Sequence, residues 1–152
     1  MRGKITRFFG DTFYLSNFYG IEITYKGITY PSVEHAYQAS KTRNRREKIR
    51  ISNLKYPGDA KRAGTELKKR GLQRDDWSEV NIKIMEILLR KKFSKQHISN
   101  VWRRLLNTGD KKLIEGNPWG DRFWGMATVG HGKLRGKNHL GKLLMKIRKD
   151  LR

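Results

Sequence analysis

Cysteine is absent from the chain, which excludes disulfides and thiolate metal sites and fits a reducing cytoplasm. Long apolar runs are missing too. No stretch approaches the roughly 20 apolar residues of a membrane helix. The start, MRGKITRFFG, has no apolar run of signal-peptide length. The expectation is a cytoplasmic protein with no membrane partner. The four histidines, His35, His97, His131 and His139, have no short ligand spacing, so neither a metal nor another cofactor is expected. Acidic residues are scarce: 14 Asp and Glu stand against 35 Lys and Arg, for a net charge of +21. A field of that sign favours polyanions, and nucleic acid is the natural candidate partner. Charge selects a partner class and says nothing of chemistry.

What is present is mostly helical patterning. The 152 residues fit one domain, residues 1–152, around one core. Residues 5–30 read as β-like and irregular, with Glu22–Tyr25 and Ile28–Tyr30 flanking Lys26-Gly27 as a small N-terminal β-hairpin. The aromatics Phe8, Phe9, Phe13, Tyr14, Phe18 and Tyr19 read as core around Leu15-Ser16-Asn17. About six helices follow. Ser32 caps the first, from Val33 to about Thr42. A second resumes within 41–50 and ends before Pro57-Gly58. Asp59 caps a third through Lys69, closed by Gly71. Asp76 and Glu79 open the fourth with a capping-box-like pattern. Trp77, Val80, Ile84, Ile87 and Leu88 recur along it at helical spacing. The fifth, about 96–107, turns Ile98, Val101, Trp102 and Leu105 inward. The last, about 138–151, buries Leu140, Leu143, Leu144, Ile147 and Leu151. The fold class expected is mainly α.

Between the last two helices, residues 115–137 hold six of the 15 glycines with Trp119, Phe123 and Trp124. They read as a long functional loop. Gly130, Gly132, Gly136, Lys137 and Asn138 lead into a helix N-terminus, a place that binds phosphate through free N–H groups. The spacing is not a P-loop, and Asn138 stands where a Ser or Thr would hold magnesium. Anion binding without ATPase chemistry is the expectation there.

The stretch Tyr30–Lys41, YPSVEHAYQASK, carries the clearest chemical signal. Glu34 falls in the first helical turn, where the dipole favours a carboxylate. Glu34, Gln38 and Lys41 stand at i, i+4 and i+7 and share one face. Val33, Ala36 and Tyr37 make the remainder apolar, so the polar line suggests a lined cavity. The basic run at 41–50, with Arg43, Arg45 and Arg46, is either a solvated face or a phosphate-tracking one.

These words recur in a known family. The pieces are Leu15-Ser16-Asn17-Phe18, then Tyr30-Pro31-Ser32-Val33-Glu34-His35-Ala36-Tyr37-Gln38-Ala39 with Lys41. Asp76-Trp77, Thr108-Gly109, Trp124-Gly125 and Gly136-Lys137-Asn138-His139-Leu140-Gly141 follow, the last running into Leu143-Leu144-Met145. In this fixed order, over nearly the whole chain, they resemble the NADAR family, also called YbiA-like. The resemblance implies an N-glycosidase. Such enzymes cleave ribose–base bonds in phosphoribosylated intermediates of riboflavin synthesis, or release ADP-ribose from guanine.

An N-glycosidic bond breaks through an oxocarbenium-like transition state. It needs a carboxylate near the sugar, a water nucleophile and a group that holds and protonates the base. Glu34 is the candidate carboxylate. Two-carboxylate logic asks for a helper, with Asp121 first and Asp76 second. His35 and His131 are candidate proton shuttles. Trp77 and Trp124 are candidate walls stacking on the base. The resemblance adds Ser16, Asn17, Gln38, Lys41, Gly125, Lys137 and Asn138 as substrate contacts. The pattern breaks at one place: many family members carry Asp after the Trp-Gly pair, where this chain has Met126.

Two functions compete. One is a hydrolase of ribosyl–base bonds. The charge favours ADP-ribose linked to guanine in nucleic acid as its substrate over a small riboflavin intermediate. The other is a non-catalytic basic module that binds nucleic acid or ADP-ribose.

Overall fold

A computed structural model describes residues 3–152. In chain order the elements are β1 (Lys4–Ile5), a 3-10 turn (Gly10–Leu15), β2 (Gly20–Tyr25), β3 (Ile28–Ser32), α1 (Val33–Ala39), α2 (Arg45–Ser52), α3 (Pro57–Lys69) and α4 (Trp77–Lys92). Then come α5 (Trp102–Asn107), β4 (Lys112–Leu113), β5 (Gly116–Asn117), β6 (Met126–Val129), a second 3-10 turn (Gly130–Gly132), β7 (Lys133–Arg135) and α6 (His139–Asp150). Among the described residues helices dominate, with three small sheets. The chain divides into two compact units, one of residues 17–92 and one of residues 1–16 with 93–152.

In the 17–92 unit, β2 and β3 pair antiparallel around Lys26 and Gly27. Both turn residues have positive φ, 49° and 81°, the geometry that matches the twist of the flanking strands. α1 is surrounded by this hairpin and by α2, α3 and α4. All seven of its residues are buried, including three that are polar or charged. Ser32 caps it, its Oγ accepting from the His35 N–H at 3.1 Å. The helix stops at Ala39, short of Thr42. There Ser40 Oγ–H donates to the Ala36 carbonyl, and Lys41 and Thr42 turn inward on i−3 bonds. Such side-chain and tight-turn bonds compete with the helix ladder. α3 begins three residues earlier than an Asp59 cap would place it, at Pro57, whose fixed φ suits the first helical position. Asp59 therefore lies in the first turn, beside Arg62, and is not the cap. Gly71, at φ 68°, ends α3 in the left-handed conformation, with Leu72 N–H returning to Leu67 O.

In the other unit β1 pairs parallel with β4. α6 lies against β4 and α5. Arg148 is buried and donates to Thr108 Oγ1 and to the Lys111 carbonyl, both at 2.8 Å. The fifth helix is half the expected length. Ser94 Oγ accepts from Gln96 N–H and His97 Nδ1 from Ser99 N–H, which favours turns over helix. Asn100 then sits at φ 54°, and helix forms only from Trp102. Ile98 accordingly points outward, 94% exposed. The first aromatics are also not one core cluster. Phe8 and Tyr14 are buried, whereas Phe9, Phe13 and Phe18 are exposed. Leu151 is half-buried. Residues 115–137 are not one continuous loop: β5, β6 and β7 pair within them, β5 parallel and β7 antiparallel to β6, and only 118–125 run as irregular chain between β5 and β6. No helix of the described residues is long and apolar enough to cross a membrane.

Lys92, the last residue of α4, is fully buried, with its Nζ 5.5 Å from the Tyr19 ring centroid. Burial pulls its amine from 10.5 down to about 7. The unfolded chain therefore binds more protons than the folded one between about pH 7 and 10.5. Stability should rise with pH from about 7, by up to about 1.4 kcal/mol per pH unit. Urea melts at pH 7, 8 and 9 test this. Lys92→Met should flatten the rise, and an equal slope in both proteins would exclude Lys92 as its source.

Candidate active site

Glu34 is 7% exposed in the first turn of a helix that is otherwise core. A lone carboxylate there would be costly to desolvate, and two neighbours offset that cost. Gln38 Nε2 donates to Glu34 Oε1 at 2.8 Å. The Lys41 ammonium feels the Glu34 charge, although burial outweighs that attraction and Lys61 and Lys68 add repulsion, so its pKa is lowered. Lys61, Gly64 and Lys68 repeat at i, i+3 and i+7, along one face of α3. The sequence motifs meet here through the backbone as well: Glu34 N–H donates to the Asn17 carbonyl at 3.0 Å. Two buried acceptors, Asn17 Oδ1 and Gln38 Oε1, have no hydrogen-bond partner. Each costs on the order of 1–3 kcal/mol if left unmatched. Such groups concentrate where a structure keeps atoms for a purpose other than stability.

The Trp124 segment is built differently. Asp121 Oδ1 accepts from the N–H groups of Phe123 and Trp124, both at 3.0 Å. Asn117 brackets Asp121, accepting its N–H and donating to its carbonyl, both at 2.9 Å. The carbonyls of 122–125 then cover the start of α6. Lys137, Asn138, His139 and Leu140 donate their N–H groups to Arg122, Gly125, Phe123 and Trp124. Asn138, at φ 54°, donates Nδ2 to Leu113 O at 2.9 Å and accepts from Glu115 N–H at 3.1 Å. A side chain at Gly125 would overlap the Glu115 carbonyl. Trp124 remains half-buried, edge-on to Phe123 at 5.0 Å.

The expected anion site at this helix start is therefore corrected: its N–H groups are committed to loop carbonyls and do not face a ligand. The NADAR domain matches residues 7–152 of the chain. The chain belongs to the NADAR family. It is 37% identical over 143 residues to the N-glycosidase YbiA of Escherichia coli strain K12, covering 94% of this chain and 82% of that protein. It is 35% identical to the riboflavin biosynthesis protein VVA0006 of Vibrio vulnificus. That alignment covers 91% of this chain but only 35% of the Vibrio protein, about a third of its length. The NMR structure of E. coli YbiA superposes with a TM-score of 0.79 at 35% identity, covering 99% of this chain and 86% of that one.

The NADAR residues thus fall into two groups, one in each unit. Asn17, Glu34, His35, Gln38, Lys41 and Trp77 gather on and around α1. Asp121, Trp124, Gly125, Lys137 and Asn138 gather at the start of α6. Ser16 ends the first 3-10 turn. Several roles change with the geometry. His35 is fully buried and both ring nitrogens are occupied. Nε2–H donates to the Leu54 carbonyl at 2.9 Å, so Nδ1 accepts from Ser32 Oγ–H at 2.7 Å. Burial lowers the pKa of the ring. His35 fastens α1 and has no nitrogen left for a substrate. His131 is exposed at the β6–β7 turn. Asp76 is gripped by Arg74 at 2.6 and 3.0 Å and by Arg43 at 3.3 Å. Those bonds, Arg74 first, hold it down at about 2, so it is an ion-pair partner and not a side-chain cap. Trp77 is buried, its ring 5.0 Å from Tyr37, which makes it a wall of the core behind α1. Met126 opens β6, opposite Gly116.

Composition alone could not single out Gly64 and Lys68. The spacing from Lys61 was the available signal. A concavity of about 440 Å³ in the same unit is lined by Gly20, Ile21, Glu22, Thr29, Tyr30, Pro31 and Ser52. It takes in none of the α1 polar line.

Asp121 gives a discriminating test. Asp121→Ala removes the acceptor of two backbone N–H groups and should cost about 1–2 kcal/mol. Asp121→Asn keeps that oxygen and should retain both melting temperature and turnover. An Asn variant that folds normally but is inactive would restore Asp121 as the second acid.

Proposed function

We propose that this NADAR protein is an N-glycosidase, hydrolysing the bond between a ribose and a base, with Glu34 as the carboxylate. The observation that carries the reading is Glu34 itself: a buried acid in an apolar helix, held by the Gln38 amide and within the field of the Lys41 ammonium. In that setting the carboxylate steadies the positive charge that grows on the sugar and takes a proton from the attacking water. Low local dielectric strengthens both effects. The bond broken joins C1′ to the base nitrogen. The bond formed joins C1′ to the water oxygen, and the proton released returns to the departing base.

Cations set the substrate class. Lys41 has Lys61 and Lys68 as electrostatic neighbours, a rim suited to the phosphate of a phosphoribosyl or ADP-ribosyl group. A second crowd surrounds Lys48. Burial first, then Lys26, Arg74, Arg43 and Arg45, lowers its pKa. Arg45 and Arg46 are exposed and Arg43 is only partly engaged by Asp76. Together with the +21 charge, this favours ADP-ribose linked to guanine in nucleic acid. A small phosphoribosylated riboflavin intermediate is the second reading, favoured by the name of the Vibrio relative. Comparing base release from an ADP-ribosylated guanine oligonucleotide and from a phosphoribosylaminopyrimidine separates them.

Glu34→Gln keeps shape and removes charge. Turnover should fall about 10²–10⁴-fold, with little change in substrate affinity. A variant cleaving within about threefold of wild type ends the assignment. For the nucleic-acid substrate, log K should fall with log salt at a slope near −0.9Z for Z phosphates neutralised on duplex DNA. Replacing Arg43, Arg45 and Arg46 with Gln should flatten that slope while sparing cleavage of a small substrate. Binding indifferent to salt would remove nucleic acid from the account.

A further inference from the structure

Gly64 lies in the middle of α3, where glycine is a poor helix former. The other buried residues of the same helix, Ala60, Ala63 and Leu67, all carry side chains. Its conformation does not require glycine, because it is not among the glycines with positive φ. The reason is steric. A Cβ placed on Gly64 would overlap Gln38 Oε1 and stand 2.7 Å from Gln38 Cδ and 3.1 Å from Gln38 Cβ. The Gln38 amide therefore packs directly against the bare backbone of Gly64. Its oxygen faces Gly64 and has no hydrogen-bond partner. Its nitrogen faces Glu34 Oε1 at 2.8 Å.

The amide orientation follows from those two contacts. Turned over, it would set its oxygen against the Glu34 carboxylate, two acceptors facing each other. A packing role alone would be met by Leu or Met, which fill a similar volume and leave no oxygen unmatched. Glutamine is needed for its N–H, and the orphan oxygen is the consequence of placing that N–H on Glu34.

We propose that Gly64 is a positioning residue for the catalytic carboxylate: the gap it leaves in α3 seats the Gln38 amide, and the seated amide orients Glu34. This rests on the reading of Glu34 as the catalytic group. Any side chain at residue 64 forces the Gln38 amide out of its seat, and the hydrogen bond to Glu34 goes with it. The carboxylate then loses its fixed direction toward C1′ and the attacking water, while the groups that bind the rest of the substrate are untouched.

The test is a double-mutant cycle on the full chain, with turnover scaled to folded protein. Gly64→Ala should lower kcat at least tenfold with KM within about twofold. In a Gln38→Ala background, which empties the space, the same change should lower kcat no further. A second readout does not depend on turnover. The Gln38 side-chain amide protons, seen by NMR, should be slow to exchange in wild type and lose that protection in Gly64→Ala. Full additivity of the two changes, or unaltered Gln38 protons in Gly64→Ala, would overturn the proposal even with wild-type cleavage intact. Loss of protection with kcat unchanged in Gly64→Ala would retain the seat, overturn its catalytic purpose, and count against Glu34 only if Glu34→Gln is active too. Should Gly64→Ala fail to fold, Gly64→Ala/Gln38→Ala decides: recovery of the fold places the clash at Gln38, and no recovery rejects it.

Discussion

A buried carboxylate has to be given hydrogen bonds by its surroundings, and that requirement orders the 17–92 unit. Every residue of α1 is inside, so Glu34, only 7% exposed, has little contact with bulk water for solvation. The Gln38 N–H and the charge of Lys41 act on the carboxylate in its place, and the backbone tie to Asn17 holds the residue itself. Around them the helix is apolar and fixed at its start by Ser32 and His35. The pieces serve different ends: His35 and Trp77 hold the helix, while Gln38 and Lys41 address the acid. A helix of seven residues is too short to be stable by propensity alone. Its four neighbours, the hairpin and α2, α3 and α4, therefore have to enclose it, and the same enclosure lowers the dielectric around Glu34.

The other unit meets a different constraint. The start of α6 presents N–H groups that an isolated helix leaves unmatched. Here the chain supplies its own acceptors, the carbonyls of 122–125, and sharp turns around Asp121, Gly125 and Asn138 deliver them. Glycine is needed at residue 125 because the Glu115 backbone passes where a side chain would stand. The Gly-Lys-Asn-His-Leu-Gly motif of the NADAR family is accordingly backbone engineering in this chain. It holds the Trp124 segment against a helix end.

Much of this was legible in the linear pattern. Ser32 as the cap, Gly71 as a stop, the spacing of Glu34 and Gln38 and the apolar face of α4 all rest on local rules that the chain obeys within a few residues. The errors also share a cause. The apolar spacing of 96–101 suits a helix with Ile98 inward, but local bonds from Ser94 and His97 and the left-handed Asn100 prevail. Residues 115–137 lack helical periodicity and give no strand signal, although three short strands pair there. Strands of two to four residues are too brief to show alternation.

By itself, the sequence determined the family, the charge and the identity of the buried acid, since residue types and spacing along one helix are local properties. Only the tertiary structure decided what each polar group does. It turned His35 from proton carrier to fastener by occupying both ring nitrogens, and Asp76 from helper acid to the partner of Arg74. It also covered the start of α6 with carbonyls from residues 122–125. And it set Gly64 against Gln38, 26 positions apart in the chain, a relation that no periodicity encodes because it depends on how closely two helices approach.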